Sequence, residues 1–138
     1  MTFQIRIGVR GYELDTQGHV HNAVYLQYGD HARWECLRSA GIDVDALRAG
    51  GLGPVNLETT IRYQRELRGG DEVDVSCAFE WGEGKTFRVV QAIRLADGTP
   101  VAEITSVGGL LDLAERRLVP DVRQRWRELA AEPAVMGL

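Results

Sequence analysis

Residues 22–40, NAVYLQYGDHARWECLRSA, decide the fold that this sequence predicts. Apolar and small residues recur there at steps of three and four, the spacing of one helix face. That stripe consists of Tyr25, Gly29, Ala32, Cys36 and Ala40. Because most of the stripe is small, neighbouring backbone can approach closely, so we expect the helix to lie inside a curved sheet. Gly29 costs a helix about 1 kcal/mol relative to alanine, which indicates a packing reason for it.

Strand patterns flank this helix on both sides. Before it, residues 3–12 alternate between apolar and polar, which predicts a half-buried strand. After it, a polar and glycine-rich stretch ends the helical pattern. Four further strands are predicted at 55–66, 72–82, 85–96 and 100–113. Glycine-containing reversals separate the last four strands, at 69–70, 82–84 and 97–98. A short terminal helix is expected to begin at Pro120 and to end at Pro133.

This element order predicts an α+β fold in which an antiparallel five-stranded sheet wraps around one long helix. Residues 1–138 are short enough to form one domain. Open sheet edges favour pairing with a second copy of the chain, so we expect at least a homodimer.

Charge and composition exclude several kinds of partner. The net charge is −4 and no long basic run is present, so nucleic acid is not an expected partner.

Cys36 and Cys77 lack the spacing of a metal or redox motif and are expected to be buried free thiols. No apolar run reaches membrane-spanning length and no signal-peptide pattern is present, so a cytoplasmic protein is expected.

Asp15 is the strongest catalytic candidate in the sequence. It lies in a turn just before the long helix, whose first turn offers unpaired N–H groups and a partial positive charge. An acyl carbonyl placed there would be polarised, while the nearby carboxylate attacks it or activates water. Turns also favour aspartate for purely structural reasons, so spacing alone leaves both roles open.

Other polar residues near Asp15 have structural and functional interpretations. Glu13 is expected at a solvated strand end, on the same face as Asp15, with tuning of the Asp15 pKa as the alternative. His19 and His21 lack a third ligand at metal-site spacing, so no metal is expected. His19 is instead expected to fix its loop by hydrogen bonds or to contact substrate. Tyr25 fits either the core or an acyl pocket.

Short segments within residues 9–34 match one known family. They are Val9-Arg10-Gly11-Tyr12, Leu14-Asp15, His19-Val20, Asn22-Ala23, Tyr25-Leu26 and Ala32-Arg33-Trp34. Through them the chain resembles the hotdog-fold thioesterases of the 4-hydroxybenzoyl-CoA thioesterase and acyl-CoA thioester hydrolase group, in particular the long-chain acyl-CoA thioesterase branch. Weaker similarity extends to residues 62–63, 70–73 and 81–87.

The resemblance implies a hotdog fold and hydrolysis of an acyl-CoA thioester to a free acid and CoA, without cofactor or metal. It implies that Asp15 is the nucleophile or general base and that the Asn22 backbone N–H polarises the carbonyl. Basic residues near the 81–87 hairpin meet the phosphates of CoA in the group, which suggests Lys85 and Arg88 for that role, with Arg62, Arg65 and Arg68 as further candidates. His19 and Tyr25 are the remaining candidates for substrate contact.

Several alternatives remain open at this stage. Asp30 replaces a glutamate that is frequent in the group, and it is expected either to pair with Arg33 or to be a helix-borne catalytic acid. The acyl group could be carried by an acyl carrier protein instead of CoA, and the assembly could be a homodimer or a homotetramer. A dehydratase would need a stronger histidine and carboxylate pair than His19 and Asp15 provide. A non-enzymatic acyl-binding module would not need Asp15.

Overall fold

The computed structural model describes residues 2–138. Five long strands form its sheet: β1 (Phe3–Gly8), β2 (Leu52–Tyr63), β3 (Glu72–Trp81), β4 (Phe87–Leu95) and β5 (Pro100–Asp112). They are antiparallel and lie in the order β1-β3-β4-β5-β2, with β1 and β2 at the edges. A two-residue strand, β6 (Arg117–Leu118), pairs with the end of β5 and was not predicted.

The helix α1 (Asn22–Ser39) packs against the sheet as the small-residue stripe predicts. All five stripe residues are buried. Gly29 has a clear packing reason, because a Cβ there would lie 2.9 Å from Ile104 Cδ1 and 3.1 Å from Gln91 Oε1. The buried Gln91 amide also donates a hydrogen bond to the Gly29 carbonyl oxygen at 2.8 Å. The predicted sheet wrapped around one long helix is therefore confirmed.

The polar stretch after α1 contains a helix that the sequence pattern did not predict. This helix, α2 (Val44–Ala49), is only six residues long, and one of its residues, Leu47, is buried. Asp43 caps it by accepting hydrogen bonds from the N–H groups of Asp45 and Ala46. A helix this short has too few apolar positions to show a periodic pattern.

The predicted ends of two strands were wrong. β1 ends at Gly8, and residues 11–13 form a 3₁₀ turn, so the alternation up to residue 12 extended beyond the strand. β2 begins and ends three residues before the predicted 55–66. It begins early because Leu52 pairs with Asp112, and it ends early because Gln64 and Arg65 both donate to the Val101 carbonyl.

The C-terminal segment closes one end of the core. The predicted terminal helix is α3 (Val122–Leu129), and Pro133 begins a 3₁₀ turn, Pro133–Met136. Val122 and Trp126 of α3 are buried in the same cluster as Cys36 and Cys77, which are free thiols as predicted. Across residues 2–138, no helix combines the length and the apolar character needed to cross a membrane.

Candidate active site

Asp15 lies at the tip of a small hairpin that precedes α1. Leu14 and Val20 form an antiparallel bridge, and the Asp15 N–H donates to the His19 carbonyl at 2.7 Å. The tip closes through Gly18, whose positive φ of 78° suits glycine and whose N–H donates to the Asp15 carbonyl at 3.1 Å. Backbone hydrogen bonds therefore fix the position of Asp15 just before the helix.

The Asp15 carboxylate is half-buried and is held from one side. Its Oδ1 accepts hydrogen bonds from the Gln17 N–H at 2.8 Å and the His19 N–H at 3.0 Å. Within residues 2–138, Oδ2 has no hydrogen-bond partner. The hydrogen bonds from His19 and Gln17, aided by the nearby histidines, lower the pKa of Asp15 below its ordinary value. The carboxylate is therefore ionised at neutral pH, with one oxygen free.

The start of α1 offers an unused hydrogen-bond donor. His21 occupies the N-cap position without a side-chain capping bond, and the first turn contains no acidic residue. The Asn22 N–H has no backbone or capping partner within the described part of the chain. Tyr63 anchors this turn by donating from its hydroxyl to the Asn22 carbonyl at 3.1 Å. The positive end of an 18-residue helix thus has a first N–H without a partner in the described chain.

Asp15 and Asn22 line the same open cleft, of about 360 Å³. Its lining residues are Asp15, His19, Val20, Asn22, Tyr25, Tyr63, Gln64, Arg65 and Glu66. Four of the six residues predicted for the site are therefore brought together there: Asp15, His19, Asn22 and Tyr25. A carboxylate and a free helix N–H in one cleft are the groups needed to act on a bound carbonyl.

His19 and Tyr25 both make structural contacts in the cleft. His19 Nε2 lies 3.0 Å from Glu66 Oε2, a contact that agrees with the structural role expected for His19, and contact with substrate remains a prediction. The Tyr25 hydroxyl accepts a hydrogen bond from the Leu67 N–H at 3.0 Å, and burial raises the pKa of Tyr25. Its ring packs edge-on against Tyr63, with the centroids 5.2 Å apart. Tyr25 is thus a core residue with one edge on the cleft.

Apart from Val20 of the hairpin, three cleft residues were not singled out from the sequence as site residues: Tyr63, Gln64 and Glu66. They lie more than 40 residues after Asp15 and reach the cleft because β2 ends beside the start of α1. The one sequence signal for them was the exposed aromatic residue at the end of a strand, in the weakly matching pair Arg62-Tyr63.

Lys85 and Arg88 do not join the Asp15 cleft within one chain. The register pairs Phe87 with Gly108 and Gly108 with Asn56, whereas the cleft lies at the other end of β2, at Tyr63. Arg88 is exposed between the buried residues Phe87 and Val89, and it pairs with Glu80 at 3.3 Å. Their contact with CoA remains a prediction.

Glu13 is not at a solvated strand end, so that prediction was wrong. Glu13 is only 7% exposed, and its Oε1 accepts a hydrogen bond from the Tyr28 hydroxyl at 2.6 Å. The 3₁₀ turn at residues 11–13 rotates Glu13 inward, whereas a continued strand would have turned it outward with Asp15. Asp30 pairs with Arg33 at 2.9 Å, as the structural interpretation of that residue predicted.

A second cavity, of about 290 Å³, lies along the C-terminal half of α1. Its apolar walls include Leu37, Phe79, Phe87, Val89 and Trp126. Among its lining residues in the described chain, the only ionisable one is Arg33. The cavity can hold an apolar group, and none of its lining residues is a carboxylate or a histidine.

Comparison with known proteins identifies the family of the chain. The sequence profile of the Thioesterase-like superfamily matches residues 9–128, which include the hairpin, α1 and every strand except β1. The chain belongs to this superfamily. The expected family of thioester hydrolases is thereby confirmed.

Relatives within the superfamily have thioesterase names. The long-chain acyl-CoA thioesterase FadM of Escherichia coli K12 is 30% identical over 130 residues, covering 91% of this chain and 98% of FadM. The chloroplastic acyl-acyl carrier protein thioesterase ATL3 of Arabidopsis thaliana is 30% identical over 126 residues, covering 89% of this chain. The chain spans 66% of the length of ATL3.

A solved structure of a superfamily member has the same fold. The probable thioesterase YbaW from Escherichia coli superimposes with a TM-score of 0.81 at 27% sequence identity, covering 92% of this chain and 98% of YbaW. The hotdog fold expected from the sequence is confirmed.

Proposed function

We propose that the protein hydrolyses an acyl-CoA thioester to a free carboxylic acid and CoA. The observation that carries this proposal is that one cleft contains both the Asp15 carboxylate and the unpartnered Asn22 N–H at the start of α1. The similarity to FadM along nearly its whole length supports acyl-CoA as the substrate class.

In the proposed reaction, the thioester carbonyl oxygen accepts a hydrogen bond from the Asn22 N–H. Negative charge develops on that oxygen in the transition state, where the helix N-terminus stabilises it. Asp15 then acts as nucleophile, forming a C–O bond to the acyl carbon, or as general base, taking a proton from the attacking water. The C–S bond breaks and the thiolate of CoA leaves. In the general-base route the water oxygen forms the new bond to the acyl carbon, and the proton held by Asp15 passes to the thiolate. In the nucleophile route, water hydrolyses the resulting anhydride and regenerates Asp15.

A basic segment at the mouth of the cleft supports binding of the CoA phosphates. Arg65 lines the cleft, and the exposed Arg62 lies three residues before it. Within residues 2–138, neither guanidinium has a carboxylate partner within 4.0 Å. Free guanidinium groups bind phosphate oxygens well. The same charges would also attract an acidic carrier protein, and the similarity to ATL3 makes acyl carrier protein the second candidate substrate.

A homodimer, formed along the β2 edge, is part of the proposal. β2 is 12 residues long, and no strand in the described chain pairs with its outer edge. The register shift at residues 56–58 leaves Leu57 out of the pairing and 52% exposed. A long unpaired edge with an exposed leucine favours pairing with a second copy. We expect sedimentation to give at least twice the mass of one chain, and a monomer at micromolar concentration would contradict this.

Thiol release tests the proposed activity. We expect turnover with acyl-CoA substrates, measured across a panel from acetyl to palmitoyl with benzoyl and phenylacetyl added. The same acyl groups on acyl carrier protein form the second arm. Faster turnover of the carrier-protein substrates would change the proposed substrate from acyl-CoA to acyl carrier protein. Binding of acyl-CoA without release of thiol in either arm would indicate an acyl-binding module and overturn the proposed hydrolysis.

The pH dependence of kcat/KM checks the state of Asp15. Both proposed roles need the carboxylate, so kcat/KM falls as pH falls through the pKa of Asp15. Because the hydrogen bonds lower that pKa, activity persists to lower pH, and we expect the acid limb below the ordinary range of an aspartate. The profile should be measured in wild type and in His19→Gln, which keeps the backbone N–H hydrogen bond to Asp15 and removes the imidazole. A limb centred above about pH 5 in both proteins would contradict the expected ionisation of Asp15.

A further inference from the structure

Glu13 is a buried carboxylate to which the proposed chemistry gives no role. It is 7% exposed and lies at the base of the hairpin that carries Asp15. Carboxylates are seldom buried to this degree unless hydrogen bonds compensate for the lost hydration. The contacts of Glu13 therefore show what its burial achieves.

Glu13 joins three parts of the fold that meet at the site. Its Oε1 accepts from the Arg10 N–H at 2.8 Å and from the Tyr28 hydroxyl at 2.6 Å, which links the end of β1 to the second turn of α1. Its Oε2 lies 3.4 Å from the Arg10 guanidinium. Its backbone carbonyl accepts from the His21 N–H at 3.0 Å, directly before Asn22.

These contacts fix the first strand of the hairpin on α1. Burial and the hydrogen bond to Glu13 raise the pKa of Tyr28, so its hydroxyl stays protonated as the donor. The second strand of the hairpin has a separate attachment, from the Val20 N–H to the Leu67 carbonyl at 2.9 Å. Asp15 lies two residues after Glu13 along the first strand. The side-chain link from the first strand to α1 is therefore made by Glu13 and Tyr28.

We propose that Glu13 is a positioning residue, which sets the Asp15 carboxylate against the acyl group bound at the Asn22 N–H. This inference rests on the proposed function. Reacting groups must be held close and aligned, and a displacement of about 1 Å can cost on the order of 100-fold in rate. Loss of the Glu13–Tyr28 hydrogen bond would let the hairpin shift on α1 while the substrate still binds.

Variants on both sides of this hydrogen bond test the proposal. We expect Glu13→Ala to lower kcat about 30-fold with little change in KM, because orientation is lost and binding is retained. Tyr28→Phe, which removes the donor alone, should lower kcat about fivefold and serves if Glu13→Ala does not fold. Glu13→Gln keeps an acceptor oxygen of the same length, so it should recover most of the kcat lost in Glu13→Ala.

Two further measurements separate positioning from general stability. In an Asp15→Asn background, Glu13→Ala should cause no additional loss, because its effect acts through Asp15. Trp81→Phe removes a different hydrogen bond, from the indole N–H to the Met136 carbonyl at 2.7 Å, and should lower stability without changing kcat. Equal losses from Glu13→Ala in both backgrounds, or a similar kcat loss in folded Trp81→Phe, would overturn the proposal.

The outcomes also separate this inference from the proposed function. Asp15→Asn as active as wild type would overturn the proposed function and the positioning role together. If Asp15→Asn has a strongly reduced kcat and Glu13→Ala has the wild-type kcat, the positioning role alone is overturned.

Discussion

Replacing Asp15 by asparagine is expected to lower kcat for acyl-CoA hydrolysis by at least about 100-fold, the effect of losing a nucleophile or general base. The substitution preserves the local structure, because an asparagine Oδ1 can still accept the hydrogen bonds from the Gln17 and His19 N–H groups. It removes only the charge and the reactive oxygen. Steady-state release of CoA thiol measures the loss, and acyl-CoA binding should persist.

Asp112→Asn provides a matched control for this substitution. Asp112 also accepts two backbone hydrogen bonds through Oδ1, from the Ala114 and Glu115 N–H groups, each at 3.0 Å. It lies at the end of β5 paired with Leu52, far along the sheet from Tyr63 and the cleft. The control should retain wild-type kcat. An Asp15→Asn variant within about tenfold of wild type would exclude Asp15 as the main catalytic group.

The second large effect is expected from Asn22→Pro, which deletes the backbone N–H without deleting the helix. Proline is favoured at the first position of a helix, where its missing N–H has no intrahelical acceptor. His21 has φ −58° and ψ 142°, the extended backbone that a residue before proline prefers. We therefore expect a folded protein whose kcat falls about 100- to 1,000-fold, as when one oxyanion donor is removed elsewhere.

Asn22→Ala separates the backbone donor from the side chain. This variant keeps the N–H and removes the amide, so its kcat should stay within about threefold of wild type, because the amide makes no capping bond. Circular dichroism and thermal unfolding would check that both variants keep α1. Equal loss in the two variants would assign the effect to the side chain, and full activity of Asn22→Pro would exclude the Asn22 N–H as the carbonyl's donor.

The main features of the fold could be predicted because its signals are periodic and long. The small-residue stripe of α1 and the alternation in β3 each repeat over many residues, and the burial they predict is observed. The errors occur where a pattern is short or continues by coincidence. α2 has six residues, and the alternation of β1 continues into a 3₁₀ turn that only the backbone geometry distinguishes from a strand.

The part of the site that could be predicted is local in the chain. Asp15, His19, Asn22 and Tyr25 lie within eleven residues, so their spacing along the chain is enough to indicate that they lie near one another. Glu66 and Tyr63 arrive through the pairing of β2 with β5, which no local spacing encodes. The burial of Glu13 depends on a hydroxyl 15 residues away, and a period-two pattern cannot represent such a contact.

The hairpin tip has a further consequence for how the chain can change over generations. Main-chain atoms and the Asp15 carboxylate hold it, and the side chains of Thr16 and Gln17 are exposed and make no hydrogen bond within the described chain. Substitutions at these two positions should therefore be tolerated, and a combinatorial library could vary the rim of the Asp15 cleft there with little loss of stability. A single inserted or deleted residue would instead break the backbone hydrogen bonds of the hairpin. The tip should therefore tolerate substitutions but not a change of length.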